Sequence, residues 1–256
     1  DDESKAVYAA IYADDSPLKA GPVKYDQNDA KTYVSFNVAC TSEAEAQDII
    51  LAAIAALLYD HPELSWLVNT QWSYGYSQTN EGTMTAITSF KLSDVGYKEA
   101  TTEPEKVGTP DGDNTIYASA DTKDRAAIEA AINAAKGEIG TLEGKSDYEK
   151  VKAVHDWICG HMKYTDQKTD KFTKSWRGFQ TAYSALVEKD TVCAGYAKSF
   201  KLLCDEYKIP CVIVTGDAGT GEKGPHAWNY VQLGGAWYAV DCTWDDQDAG
   251  MVDTYF

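Results

Sequence analysis

Three residues in the last third of the chain are of the types that together form a nucleophilic catalytic site. Cys193 follows a loop, His226 stands in a His-Ala-Trp-Asn run, and Asp241 ends a Trp-Tyr-Ala-Val-Asp run. A thiolate attacks a carbonyl carbon, an imidazole removes and returns a proton, and a carboxylate orients the imidazole and stabilises its charged form. We therefore interpret Cys193, His226 and Asp241 as one catalytic site.

The residues after Cys193 predict a helix that begins at the cysteine. Cys193, Ala197, Phe200, Cys204 and Tyr207 recur at the spacing of one helical face, so this face packs inward. A cysteine in the first helical turn lies beside unpaired backbone N–H groups and the positive end of the helix dipole. Both favour the thiolate over the thiol, which is how a nucleophile forms at neutral pH.

The two later runs predict a β-hairpin. Residues 226–233 and 236–243 alternate in polarity on either side of a Gly-Gly turn. In the register that this turn implies, Asp241 lies opposite Trp228 and is the diagonal neighbour of His226, about 7 Å away at the backbone. A register slip of one residue would separate the acid from the base.

The composition indicates a folded and strongly acidic protein. Of 256 residues 44% are hydrophobic, and 23 basic against 40 acidic side chains give a formal net charge of −17. A surface with this much negative charge repels phosphate groups, and we therefore expect no nucleic-acid partner. No apolar run approaches the roughly 20 residues of a membrane span, and no signal peptide is visible. The acidity and the many Tyr, Thr, Asn and Gly residues favour a secreted or cell-surface bacterial protein.

Three of the other cysteines and His155 are expected to be structural. Six cysteines are too sparse for a disulfide scaffold, and Cys204, Cys211 and Cys242 fall on apolar faces or at a strand start. There is no CxxC or HExxH spacing, so we expect no metal site and no cofactor. His155 lies on the apolar stripe of a predicted helix, where a histidine is usually a packed, hydrogen-bonded group.

The chain is predicted to consist of two parts. Residues 1–115 have the pattern of a small α+β region, and residues 101–114 are a linker rich in Pro and Gly with almost no apolar content. Residues 116–256 contain two amphipathic helices, at 123–139 and 147–164, before the segments that carry the candidate site. The role of the first part is open.

The second part resembles the transglutaminase-like superfamily, especially bacterial surface or secreted members. The resemblance lies in four runs, at residues 182–187, 192–197, 226–229 and 237–244, and covers about half the chain, from Lys123 to the end. The order Cys, His, Asp matches that family. It implies an α+β fold with a papain-like core, in which a helix that carries the cysteine packs on an antiparallel sheet.

The resemblance also implies acyl transfer through a thioester. Cys193 would attack a carbonyl, and its backbone N–H would donate one hydrogen bond to the oxyanion. Tyr183, ten residues before the cysteine, stands where similar bacterial sequences have a tyrosine, so its hydroxyl is a candidate for the second donor. Trp228 and Trp244 are candidates for the walls of an acyl channel.

Three functions remain open at this stage. We favour a hydrolase, a cysteine peptidase or amidase acting on a protein, a peptide or a cell-wall peptide, because no calcium cluster or amine pocket is evident. The alternative within enzymes is a protein-glutamine transglutaminase, in which an amine instead of water resolves the thioester. A third possibility is a non-catalytic module that binds a peptide or glycan, although such a module does not need all three residues.

Overall fold

The computed structural model describes residues 1–20, 26–68, 70–81, 84–97, 122–165, 180–218 and 224–246. The chain divides into two compact units, one comprising Asp1–Leu58 and Leu64–Val107, the other Tyr59–Glu63 and Gly108–Phe256. The predicted boundary after residue 115 and the predicted linker at 101–114 lie outside the described residues. Every helix within the described ranges is too short or too polar to span a bilayer.

The part of the chain up to residue 97 combines helices with one antiparallel sheet. Its elements are α1 (Asp2–Tyr12), α2 (Pro17–Ala20), β1 (Tyr33–Cys40), α3 (Glu43–Asp60), β2 (Thr70–Glu81) and β3 (Met84–Tyr97), with 3-10 turns at Ala30–Thr32 and Pro62–Val68. The strands are ordered β1-β3-β2, and both neighbouring pairs are antiparallel. This arrangement is the small α+β region that the sequence predicts.

Helix α3 buries one face. Ser42 caps it, because its Oγ accepts a hydrogen bond from the Glu45 N–H at 3.2 Å. The buried side chains recur every three or four residues, which is the spacing of one helical face; they are Ala46, Ile49, Ile50, Ala53, Ile54, Leu57 and Leu58. The helix ends shortly before Pro62, since a proline disfavours the helical conformation of the residue that precedes it.

The second unit contains the candidate site. Its elements are α4 (Thr122–Ile139), α5 (Asp147–His161), β4 (Lys163–Tyr164), a π-helical turn (Ser184–Glu188), β5 (Asp190–Thr191), α6 (Cys193–Glu206), β6 (Cys211–Ala218), β7 (Gly224–Leu233), β8 (Ala236–Val240) and α7 (Cys242–Asp245). Strands β6, β7 and β8 form an antiparallel sheet in that order, and β4 pairs in parallel with β5.

Helix α6 packs between the sheet and the other helices. Ala197, Phe200 and Cys204 are buried, as predicted for this face, and Cys193 at its start is half-buried. Its neighbours in one hydrophobic core come from α4, α5 and the sheet: Ile128, Ala135, Val151, Val154, Ile158, Val231 and Val240. The unit is therefore an α+β fold in which a helix-borne cysteine lies on an antiparallel sheet, as predicted.

The β7–β8 hairpin has the predicted register. Leu233 pairs with Ala236, and Asn229 pairs with Val240. Between the strands, the Gly234-Gly235 turn has φ values of 57° and 87°. This is the left-handed region, which glycine adopts without the steric cost that a Cβ brings.

The end of the hairpin differs from the prediction. Strand β8 stops at Val240, so Asp241 is not a strand residue opposite Trp228 but the N-cap of α7. Its Oδ1 accepts hydrogen bonds from the N–H groups of Thr243 at 3.1 Å and Trp244 at 3.2 Å. An Asp at this position satisfies N–H groups that a helix start leaves unpaired, and the strand therefore ends at Val240, before the predicted end at residue 243.

Candidate catalytic site

Cys193 occupies the first position of α6. The N-cap residue Val192 has an extended backbone and gives no side-chain cap. Its carbonyl accepts the N–H groups of Gly195 at 2.8 Å and Tyr196 at 3.2 Å. Among the described residues, none accepts a hydrogen bond from the backbone N–H of Cys193 or Ala194. Both are therefore available to an oxyanion that forms next to the sulfur.

The imidazole of His226 is held by a carboxylate. Its Nε2 lies 2.6 Å from Oδ2 of Asp241, and only 9% of each side chain is exposed to solvent. The second oxygen of the carboxylate is occupied by the capping bonds of α7, so the carboxylate cannot rotate away from the ring without uncapping that helix. The orientation of His226 therefore depends on the local structure of α7.

Two tryptophans stack on the His226 ring. The ring centroid of Trp244 lies 4.7 Å from that of His226 at an interplanar angle of 13°, and that of Trp228 lies 5.9 Å away at 18°. Gly216 pairs with His226 across the sheet, and a Cβ there would lie 3.2 Å from the Trp228 ring. The glycine thus leaves room for Trp228 beside the imidazole.

The environment of His226 favours its protonated form. Burial alone would lower the pKa of the imidazole, but the hydrogen bond with Asp241 and the interaction with the Cys193 thiol outweigh it and raise the pKa to about 9. Cys193 is thus a direct neighbour of the His226 ring, on which it acts as a hydrogen-bond partner. The structure therefore brings Cys193, His226 and Asp241 together in one cluster.

Close packing fixes the start of α6 beside this cluster. A Cβ on Gly195 would collide with Oγ1 of Thr191 and would lie 2.9 Å from the backbone oxygen of Thr181. On the opposite side, the buried Asn229 donates a hydrogen bond from Nδ2 to the backbone oxygen of Ala197 at 3.0 Å. These contacts set the distance between the helix that carries the cysteine and the strand that carries the histidine.

The family assignment follows from the same residues. Residues 134–242 match the family described as the Transglutaminase-like superfamily, and Cys193, His226 and Asp241 all lie within this range. This part of the chain is a transglutaminase-like domain.

The curated relatives that match the transglutaminase-like domain carry the name kyphoscoliosis peptidase. The protein from Mus musculus is 36% identical over 122 residues, and the protein from Homo sapiens is 34% identical over the same length. Each match covers 44% of this chain but only 17% of the relative. The chain thus spans a small part of the length of the relatives it matches.

Solved structures also resemble the chain, with low overall scores. A candidate cysteine protease from Cytophaga hutchinsonii has a TM-score of 0.36 at 22% identity and covers 68% of this chain and 64% of its own. A structure described as a TGase has a TM-score of 0.40 at 13% identity, with 94% and 59% covered. The periplasmic domain of TgpA from Pseudomonas aeruginosa has a TM-score of 0.31 at 17% identity, with 69% and 68% covered.

Tyr183, the predicted second oxyanion donor, packs at the edge of the core of the transglutaminase-like domain. It precedes the π-helical turn, is half-buried, and packs against the hydrophobic cluster. Its hydroxyl makes no hydrogen bond with any residue that the structure describes. Its role as an oxyanion donor stays a prediction, as does an acyl channel between Trp228 and Trp244.

Tyr164 is a neighbour of the site that the sequence does not predict. Burial raises the pKa of its phenol, and an electrostatic interaction with Cys193 raises it further. Strand β4 brings it there by pairing Tyr164 with Thr191, two residues before the cysteine. In the sequence, Tyr164 is only a tyrosine that follows an amphipathic helix. This pattern does not predict a position beside the site, because that position depends on the pairing of two short strands.

The transglutaminase-like domain contains a second cluster of reactive side chains. His155 is completely buried, as expected of a structural histidine, and its Nε2 lies 3.2 Å from Oδ2 of Asp245 and 3.6 Å from Sγ of Cys159. Asp245 was not singled out by sequence as its partner. Cys242, predicted as core, is buried here, and one ligand atom each from His155, Cys159 and Cys242 lie within 4.8 Å of one another. A search for CxxC or HExxH spacing could not find this cluster, because its members come from α5 and α7.

Proposed function

We propose that the transglutaminase-like domain catalyses acyl transfer through a thioester on Cys193, and that it is a hydrolase of peptide or amide bonds. The position of His226 carries the proposal, because one ring interacts with both the Asp241 carboxylate and the Cys193 thiol. Since Asp241 occupies Nε2, the nitrogen left for the thiol proton is Nδ1. With a pKa of about 9, the imidazole is protonated at neutral pH; in the proposed mechanism its proton is the one that the Cys193 sulfur gives up.

The reaction then proceeds in two steps. The Cys193 sulfur bonds to the substrate carbonyl carbon, and the N–H groups of Cys193 and Ala194 donate to the oxyanion. The C–N bond breaks as His226 gives its proton to the leaving amine, which leaves a thioester. A water molecule next gives a proton to His226 and attacks the thioester carbon; the C–S bond breaks, and the acid and free enzyme are released.

Two observations favour water over an amine as the second nucleophile. The curated relatives that match this domain are named peptidases. Tyr164, which interacts electrostatically with Cys193, is 45% exposed to solvent, so water reaches this side of the site. A transglutaminase would form the same thioester and differ only in this step, which makes the acyl acceptor the quantity to test. The predictions of a cell-wall peptide substrate and a secreted location remain part of this proposal.

The test is to incubate the protein with a library of glutamine-containing and other peptides, with and without a primary amine, and to follow products and intact protein mass. The proposal expects a cleaved or deamidated peptide, and an acyl adduct on Cys193 that Cys193→Ala abolishes. Cys40→Ala is the matched control, because Cys40 is the other cysteine that is not fully buried. Transfer of the acyl group to the amine in preference to water would replace the hydrolase by a transglutaminase. Stoichiometric peptide binding without adduct or product would indicate a binding module.

A further inference from the structure

The second cluster has the side chains of a metal site. His155 and Cys159 are four residues apart on α5 and project from the same face of the helix. Cys242 and Asp245 are three residues apart on α7 and approach from the other side. Both helices contribute buried groups, since His155 and Asp245 are 0% exposed and the two cysteines 6% and 3%.

We propose that His155, Cys159, Cys242 and Asp245 bind one Zn²⁺ ion as a structural site, separate from the catalytic cysteine. The donor set of two thiolates, one imidazole and one carboxylate suits zinc, because thiolates are soft ligands that calcium and magnesium do not select. Four donors from two helices also match the closed tetrahedral coordination of structural zinc sites. The proposal is independent of the reaction assigned to Cys193.

The distances from His155 Nε2 to two of the other donors agree with this coordination. With Zn–S of about 2.3 Å and Zn–N of about 2.0 to 2.1 Å, a tetrahedral ion places a nitrogen and a sulfur about 3.6 Å apart. The distance between His155 Nε2 and Cys159 Sγ is 3.6 Å. The corresponding distance between a nitrogen and an oxygen is about 3.4 Å, and His155 Nε2 lies 3.2 Å from Asp245 Oδ2. One ligand atom each from His155, Cys159 and Cys242 lies within 4.8 Å of the other two, and Asp245 reaches this group through its contact with His155.

The other ring nitrogen of His155 has the partner that a metal-binding histidine requires. Its Nδ1 lies 3.1 Å from Oδ1 of Asp156. Metal-ligating histidines usually donate this second N–H to a carboxylate or carbonyl, which fixes the tautomer and turns the other nitrogen toward the ion. Asp156 is therefore a positioning residue for Nε2 of His155.

A bound Zn²⁺ ion would stabilise the position of the Asp241 carboxylate by holding the helix that Asp241 caps. Asp241 caps α7 and also holds His226, while Cys242 and Asp245 are the first and last residues of the same short helix. An ion bound to both would attach this single turn to α5. The turn would then keep its shape when the proposed catalytic site binds or releases substrate.

The first measurement is the metal content of the whole chain. Protein purified under reducing conditions is saturated with Zn²⁺, passed through gel filtration and analysed by mass spectrometry of its metals. One equivalent should remain bound in the wild type and in Cys211→Ala, a control that removes another buried cysteine, and should be lost in Cys159→Ala. Asp156→Asn should weaken Zn²⁺ affinity about 10- to 100-fold, as loss of such a partner typically does.

Spectroscopy on the wild type keeps the test decisive if Cys159→Ala does not fold. Replacement of Zn²⁺ by Co²⁺ should give thiolate-to-metal charge-transfer bands and the strong visible bands of a tetrahedral ion. Absence of retained Zn²⁺ in the reduced wild type, Co²⁺ spectra without charge transfer, or equal retention in a folded Cys159→Ala would each overturn the proposal. A Cys159–Cys242 disulfide that persists under these reducing conditions and blocks Zn²⁺ would also overturn it.

Discussion

The replacement Gly195→Ala tests how closely the start of α6, which carries Cys193, is packed. The new methyl group would overlap with Oγ1 of Thr191 and lie 2.9 Å from the backbone oxygen of Thr181. Hydrogen bonds restrain both of these neighbours, so neither can move away from the added methyl group. The Thr191 hydroxyl is bonded to Oγ of Ser184 at 2.8 Å, and that serine in turn donates to the Thr181 oxygen at 2.8 Å.

The expected cost can be worked from these contacts. Overpacking of a tight interior typically costs about 1 to 3 kcal/mol, and loss of the bond between Thr191 and Ser184 adds about 1 kcal/mol. Replacing a helical glycine by alanine by itself stabilises the folded state by about 0.5 to 1 kcal/mol. The free energy of unfolding should therefore fall by about 2 kcal/mol, which lowers the urea midpoint by roughly 1 M for an ordinary m-value.

The matched control is Gly137→Ala in α4, where a Cβ would meet nothing within 4 Å. This variant should gain about 0.5 to 1 kcal/mol from helix propensity alone. Both variants are compared by urea unfolding followed by near-UV circular dichroism. The double variant Gly195→Ala with Thr191→Ala removes the obstructing hydroxyl and should recover part of the loss. If Gly195→Ala were as stable as Gly137→Ala, the reasoning on close approach would be refuted.

Three further perturbations address the same site. Asn229→Leu removes the donor that joins β7 to the Ala197 carbonyl and should lower the free energy of unfolding by about 1 to 3 kcal/mol; an unchanged urea midpoint would contradict this role. Asp241→Asn removes the carboxylate that raises the pKa of His226, so the pKa measured by NMR titration of the imidazole should fall from about 9 toward about 6.5; an unchanged titration would show that the carboxylate does not act on the ring. Because the folded-state pKa of His226 is raised, its contribution to stability is complete below about pH 6.5 and is lost as the pH rises through about 9. Over this range the wild type should lose up to about 3 kcal/mol relative to His226→Gln, and parallel stability curves for the two proteins would count against it.

Local patterns were sufficient to predict the elements that carry the site. The spacing of Ala197, Phe200 and Cys204 predicts the buried face of α6, because helix periodicity depends only on near neighbours in sequence. The Gly-Gly turn between β7 and β8 predicts their register for the same reason, since a two-residue turn leaves one way to pair the strands.

Features that depend on distant segments could not be predicted in this way. Asp241 alternates correctly for a strand, but capping of the following turn competes with strand pairing and determines its conformation. The partners His155 and Asp245 are 90 residues apart and lie on different helices, so no spacing rule connects them. Tyr164 reaches the site only through a two-residue parallel pairing, which is too short to leave a pattern in the sequence.

The most direct test of the central claim is the rate at which iodoacetamide modifies Cys193 at pH 6, measured by peptide mapping with the half-buried Cys40 as internal reference. An ordinary thiol with a pKa of about 8.5 is only about 0.3% ionised at this pH and reacts slowly. If His226 holds the proton and Cys193 is a thiolate, Cys193 should be modified at least about tenfold faster than Cys40, and His226→Ala should remove the difference. Equal rates for the two cysteines, or a fast reaction of Cys193 that persists in His226→Ala, would contradict the claim.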